Sequence, residues 1–152
     1  LSTSGTLGAA MEAASLGISA IAISQHVETE HIKFNEGHIG IDFSPSQRIL
    51  KNLVKKIQDK GFPEGVDILN VNVPTNPDSY EPVVSTLANR MYWPFVEKRS
   101  DLRGKPYYWI DGKLYEGNPK DSDFHNLVNE NKPTITPLSL DMAKNIEEFK
   151  GE

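Results

Sequence analysis

Ser4-Gly5-Thr6-Leu7-Gly8-Ala9-Ala10-Met11-Glu12-Ala13-Ala14-Ser15-Leu16-Gly17-Ile18-Ser19-Ala20-Ile21-Ala22-Ile23-Ser24 carries two hydrophobic periods in succession. Leu7, Ala10, Met11 and Ala14 recur at i, i+3, i+4 and i+7, which places them on one face of a helix. Ser4 and Thr6 are suited to the N-cap, and Gly17 to the left-handed stop after the last turn. Gly8 and four alanines make this helix thin enough to lie close against a sheet. Ile18 to Ser24 follows almost at once. It is short, rich in β-branched residues and apolar on both faces, as in a strand buried inside a parallel sheet.

Working outward, the same rhythm repeats. Ser44-Pro45 opens a second helix, with Ser at the N-cap and Pro at the first position. Ile49, Leu50, Leu53, Val54 and Ile57 form its apolar stripe, and Gly61 and Pro63 end it. Val66 to Val73 reads as a second strand, closed by Pro74-Thr75-Asn76. Helix, strand, helix, strand predicts an α/β sheet. Between the two units, Gln25 to Phe43 has weak periodicity and reads as a long loop.

After about residue 78 the character changes. Val83 to Arg90 is expected as a strand. Met91 to Phe95 is aromatic and broken by Pro94, and Glu97 to Gly104 reads as a charged connection. Pro106-Tyr107-Tyr108-Trp109-Ile110 and Lys113-Leu114-Tyr115 flank Asp111-Gly112, the signal for a two-residue hairpin turn. An isolated hairpin is marginal in water, so this aromatic one should pack on something, such as a neighbouring subunit. A short helix is expected within 121–129, a strand over 133–138 and a terminal helix over 141–150. Residues 1–78 thus read as part of an α/β domain, and 79–152 as a hairpin arm and C-terminal segment suited to oligomerisation.

The chain has 152 residues, enough for one core without staples. It holds no Cys, so disulfides and thiolate metal sites are excluded. Sixteen basic and 21 acidic residues give a net charge of −5, which argues against general nucleic-acid affinity. No run of 18 apolar residues suggests a membrane span. The start shows no secretory pattern. It lacks an initiator Met, as expected of a chain beginning inside a longer sequence.

Three constellations could carry chemistry. At Ser4-Gly5-Thr6 the opening amides of a helix have no internal partners, and its dipole favours an anion. Gly5 lets a phosphate approach the backbone, and two hydroxyls add donors. An ordinary capped helix would use the same residues. His26-Val27-Glu28-Thr29-Glu30-His31 misses the zinc-protease spacings and reads as a solvated loop, with His38 structural or exposed. Asp121 and Asp123 could share a divalent cation, but acids are favoured at a helix start in any case. No G-x-S-x-G nucleophile elbow is present.

The ordered blocks resemble the SurE survival-protein family. Ser4 to Glu12 with Leu16 to Ser24 matches its S-G-T-x-x-A-A-x-E…L-G-I-x-x-I-A-x-S stretch. Ile68-Leu69-Asn70-Val71-Asn72-Val73-Pro74 resembles its L-N-V-N-x-P strand, and Arg103 to Ile110 its R-G-x-x-Y-Y-W-I arm. Asp121-Ser122-Asp123-Phe124 and Thr134 to Leu138 resemble its T-D and S-V-T-P-L elements. The resemblance implies a Rossmann-like, mostly parallel sheet with helices on both faces, plus a projecting β-hairpin and a C-terminal helix. It implies a cytoplasmic phosphomonoesterase for nucleoside 5′- and 3′-monophosphates, with phosphate held at Ser4, Gly5 and Thr6. It implies a homodimer or homotetramer through the 106–116 hairpin and the C-terminal segment. The implied cofactor is a divalent metal, magnesium or manganese. Its ligands in the family are two consecutive aspartates, a serine and an asparagine, all ahead of S-G-T. No Asp-Asp pair occurs here, so those ligands are expected upstream of residue 1 and no catalytic residue is assigned. The alternatives are a non-catalytic phosphate- or nucleotide-binding module and an oligomerisation fragment.

Overall fold

A computed structural model describes residues 4–27 and 41–143. Helix α1 (Gly5–Ser15) leads into strand β1 (Ala20–Gln25). Helix α2 (Ser44–Lys60) then crosses to strand β2 (Ile68–Val73). The short strand β3 (Val83–Val84), the arm strands β4 (Tyr92–Ser100) and β5 (Pro106–Leu114), helix α3 (Asp123–Val128) and strand β6 (Thr134–Leu138) follow. The main sheet has the order β1-β2-β6-β3, with β2–β6 antiparallel and the other two pairings parallel. It draws strands from both sides of residue 78.

The two opening helices take opposite faces of this sheet, as the family resemblance implies. Leu7, Ala10 and Ala14 of α1 pack with Ala22 and Ile68, while Ile49 of α2 packs with Val71, Val73, Ile21 and Ile23. Alternate residues of one strand point to opposite faces, so β1 serves both helices at once. Its outer edge pairs with no strand among the described residues. The stop after α1 is a Schellman turn. Gly17 N–H donates to Ala14 O at 2.9 Å and Ile18 N–H to Ala13 O at 3.1 Å, with Gly17 at φ 78°.

The start of α2 differs from the expected cap. Ser44 is already helical, the N-cap position falls on Phe43, which makes no side-chain cap bond, and Asp42 just before it binds the first helical amide. Its carboxylate accepts from Ser44 N–H and Ser44 Oγ–H, both at 2.8 Å. These bonds hold the Asp42 carboxyl below its usual range, the backbone bond contributing most. Along the helix, Ile49, Leu53 and Ile57 turn inward, whereas Val54 stays 39% exposed. The expected strand over 83–90 shortens to two residues. Beyond it, Thr86 makes a single bridge to Ser122, and the chain turns toward α3.

The hairpin is longer than the sequence reading and turns elsewhere. β4 pairs with β5 from Tyr92–Leu114 to Ser100–Pro106, so Asp111-Gly112 lies within a strand. The turn is Asp101–Lys105. The Asp101 carboxylate accepts from Arg103 N–H and Lys105 N–H at 2.8 Å, and Gly104 sits at φ 76°. Gly112 serves close approach instead. A Cβ there would come within 2.9 Å of the Tyr92 Cβ. The terminal helix expected over 141–150 falls mostly outside the described residues, as does most of the 25–43 loop.

Ile49 is 1% exposed between α2 and β2. Ile49→Ala should therefore cost about 2–5 kcal/mol in urea unfolding, whereas Val54→Ala should stay within about 0.5 kcal/mol. Equal effects would mean that α2 packs in another register.

Candidate functional site

A cleft of about 460 Å³ opens at the carboxyl ends of β1 and β2, beside the N-terminus of α1. Open α/β sheets bind ligands at this end of their strands. Ser24 and Asn72, paired across β1 and β2, line it together with Asn70. The 87–92 segment and α3 supply the opposite wall, including Arg90, Tyr92 and Phe124.

At the helix end, Ser4 is the N-cap, and its Oγ accepts from Leu7 N–H at 3.2 Å. Gly8 N–H closes the first helical bond onto Ser4 O at 2.8 Å. The amides of Gly5 and Thr6 precede that bond and face solvent, as do all three residues of Ser4-Gly5-Thr6. The first turn carries no acid, so the positive end of the dipole is not offset locally. A Cβ added at Gly5 would meet nothing within 4 Å, leaving open space over the backbone. The arrangement can accept an anion by backbone donors, with the Ser4 hydroxyl at the cleft's edge.

One cation stands in the cleft wall. The Arg90 guanidinium lies 4.6 Å from the Trp93 ring centroid and 5.5 Å from that of Tyr115. The two rings are themselves stacked at 6.4 Å. Arg90 N–H donates to the Asn118 side chain, which donates back to Arg90 O. This fixes the root of the arm against the cleft.

The acidic pair does not converge on a cation. Asp121 is exposed, with its carboxylate 3.4 Å from Thr86 Oγ1. Asp123 is buried, and its Oδ1 accepts from Ala88 N–H and Phe124 N–H at 2.8 Å each. Ser122 rather than Asp121 caps α3, accepting from His125 N–H at 3.2 Å. Asp123 therefore pins the 86–90 segment that walls the cleft. Of the histidine loop, His26 is described, and its N–H donates to Val73 O at 2.8 Å. Glu28, Glu30, His31 and His38 lie outside the described residues. No group of three or more His, Asp or Glu among the described residues could hold a metal. With Asp123 Oδ1 committed to two amides, the cleft offers a metal one further Asp123 oxygen, neutral hydroxyls and amides, with the Arg90 cation in its wall. That set does not fit a divalent ion on its own.

Asn70, Asn72, Ser24 and Arg90 were not singled out in the sequence. The available signal was two asparagines at i, i+2 inside Ile68-Leu69-Asn70-Val71-Asn72-Val73, since Asn is depleted in strands. Asp123→Ala should cost about 1–3 kcal/mol, because one buried and one part-buried amide lose their acceptor. Asp121→Ala, at an exposed site, should cost less than about 0.5 kcal/mol. Chemical denaturation of the two variants measures the difference, and equal losses would refute the pinning role.

The family model described as Survival protein SurE matches residues 1–93. The chain is 51% identical over 150 residues to a 5′-nucleotidase SurE of Methanobrevibacter smithii, covering 99% of this chain and 58% of that protein. It is 51% identical over 142 residues to a 5′-nucleotidase SurE of Methanosphaera stadtmanae, covering 93% of this chain and 56% of that protein. The chain thus spans somewhat over half the length of these curated relatives. The crystal structure of the SurE protein from Aquifex aeolicus superposes with a TM-score of 0.70 at 32% identity, covering 93% of this chain and 53% of that one. With the fold, the order of its blocks and the family match in agreement, the chain belongs to the SurE survival-protein family.

Proposed function

We propose that this chain is the phosphate-holding part of a phosphomonoesterase that hydrolyses nucleoside 5′- and 3′-monophosphates. What carries the reading is the open helix end at Ser4-Gly5-Thr6, beside a cleft large enough for more than a phosphate. In this role the Gly5 and Thr6 amides and the Ser4 and Thr6 hydroxyls hold the phosphoryl oxygens. The α1 dipole stabilises charge as it redistributes among them. Relatives named 5′-nucleotidase support turnover over simple binding. A divalent metal, magnesium or manganese, supplies Lewis-acid chemistry in this reading. Its ligands belong to the family pattern ahead of Ser4. The alternative, a module that binds phosphate without turning it over, predicts saturable nucleotide binding with no metal requirement.

The complete protein should release phosphate from nucleoside monophosphates, stop when a chelator is added, and resume with added magnesium or manganese. Failure of the metal-loaded protein on every such substrate would reject the proposal. Thr6→Ala should lower turnover at least tenfold while changing stability by no more than about 0.5 kcal/mol, since Thr6 is exposed and the cap is Ser4.

We infer that the arm and the C-terminal segment serve oligomerisation, and that the arm docks on a second copy. All nine residues of β4 are exposed, and β5 is exposed at all but one position. The two faces of the arm differ. One is knitted internally: Arg99 pairs with Glu97 at 2.7 Å and lies over Trp109, and Lys113 lies over Phe95. The other presents Val96 and Ile110 side by side, 62% and 76% exposed, flanked by Tyr92, Tyr108 and Leu114. That apolar face is the one a partner should cover. Ile110→Lys should therefore reduce the oligomer mass in sedimentation, and Trp109→Ala should loosen it less. An unchanged mass in both variants would rule out the arm as the contact.

A further inference from the structure

We propose that Asn70 and Asn72 form a subsite for the sugar hydroxyls of the ligand; the proposal rests on reading the cleft as a nucleotide site. Side chains of β2 alternate between the two faces of the sheet. Leu69, Val71 and Val73 point toward α2 and are buried. Ile68, Asn70 and Asn72 point the other way, and the first of them closes the core against α1. The next two reach the cleft, half-buried, as amides rather than as continued core.

The polar character extends across the sheet on this face. Asn70 stands opposite Thr136, and Asn72 stands between Ser24 and Thr134. Thr136 is provided for, its hydroxyl 3.2 Å from that of Ser85. Thr134 Oγ1 is buried with no hydrogen-bond partner among the described residues. Among those residues the Asn70 and Asn72 side chains also have none. Both are half-buried at the cleft rather than sealed in the core, and without a protein partner these two amides contribute little to the sheet's own stability. Both line the cleft, so a molecule held there is within reach of their unpartnered amides.

The chemistry of the amide selects the ligand group. An asparagine offers donors and acceptors together. A phosphate offers only acceptors, so it can take the amide N–H groups but leaves the amide oxygens unpaired. A hydroxyl both donates and accepts, and so matches the whole amide. Position agrees. The floor lies between the helix end at Ser4 and the apolar wall of Met91, Tyr92, Phe124 and Leu127. That wall suits a flat base. The cleft then reads in order as an anion end, a hydroxyl floor and an aromatic wall.

Calorimetry on the complete protein with uncharged nucleosides tests this without requiring turnover. Adenosine should bind about tenfold more tightly than 2′,3′-dideoxyadenosine, which lacks the hydroxyls. Asn70→Ala and Asn72→Ala should each remove most of that ratio while leaving dideoxyadenosine affinity within twofold. Equal wild-type affinities, or no binding of either nucleoside, would overturn the subsite whether or not the variants fold. A parallel loss of both nucleosides in folded variants would also overturn it, by showing a structural role. If the complete protein turns over no phosphate monoester yet shows the ratio and its loss, the phosphatase reading falls and the hydroxyl subsite stands. Turnover with a ratio of one gives the reverse.

Discussion

The register of β2 is the constraint on which the rest depends. This strand is paired on both sides, parallel to β1 and antiparallel to β6, and Val71 and Val73 are wholly buried. Its side chains alternate strictly, so one set meets α2 and the other meets α1 and then the cleft. A slip of one residue would put both asparagines under α2 and two valines into the cleft. The apolar packing of Ile49 on Val71 and Val73 thus fixes the polar floor as well as the core. Stability and site are written into the same six residues.

The parts legible in the sequence are those governed by a local period. The first helix, its Gly17 stop, the first strand and the second helix–strand unit follow from spacing alone, with shifts of one or two residues at their ends. The arm was misread because two local signals pointed the wrong way. Asp111-Gly112 carries a turn signature, yet the real turn at Asp101–Lys105 is built from an Asp carboxylate and a left-handed Gly104. Pro94 suggested a break, but a two-stranded ribbon leaves alternate amides of each strand pointing outward, where a missing N–H is tolerated. Register, set over nine paired residues, outweighed both.

The site was less legible because its parts meet only through tertiary structure. Ser4-Gly5-Thr6 reads as a helix end from its residue types, and the structure shows that end capped and open. Those observations suit an anion, but an ordinary cap uses the same serine. The weight toward a ligand comes from what stands nearby: Asn70 and Asn72 from β2, and a wall from 87–92 held by Asp123. Asp121 and Asp123 looked alike in sequence. Burial separates them, one into solvent and one onto two backbone amides. No spacing rule distinguishes those fates, since the partner amide of Ala88 is 35 positions away.

Charge then sets how such a cleft must work. These 152 residues carry a net −5, which supplies no long-range attraction for an anion. In the proposed site, attraction has to be short-ranged, and the helix end beside the cleft offers mainly dipoles: the unpaired amides of α1, two hydroxyls and the α1 macrodipole. Arg90 adds a formal charge, but two aromatic faces hold its guanidinium at the wall, away from the role of a freely moving phosphate clamp. Dipoles fixed by the backbone need little reorganisation and do not titrate near neutral pH. They also act only within a few ångströms, so a ligand gains from them only when it fits. A neutral, hydroxyl-matched floor beside a dipolar anion end follows the same logic, because both reward contact and neither draws charge from a distance.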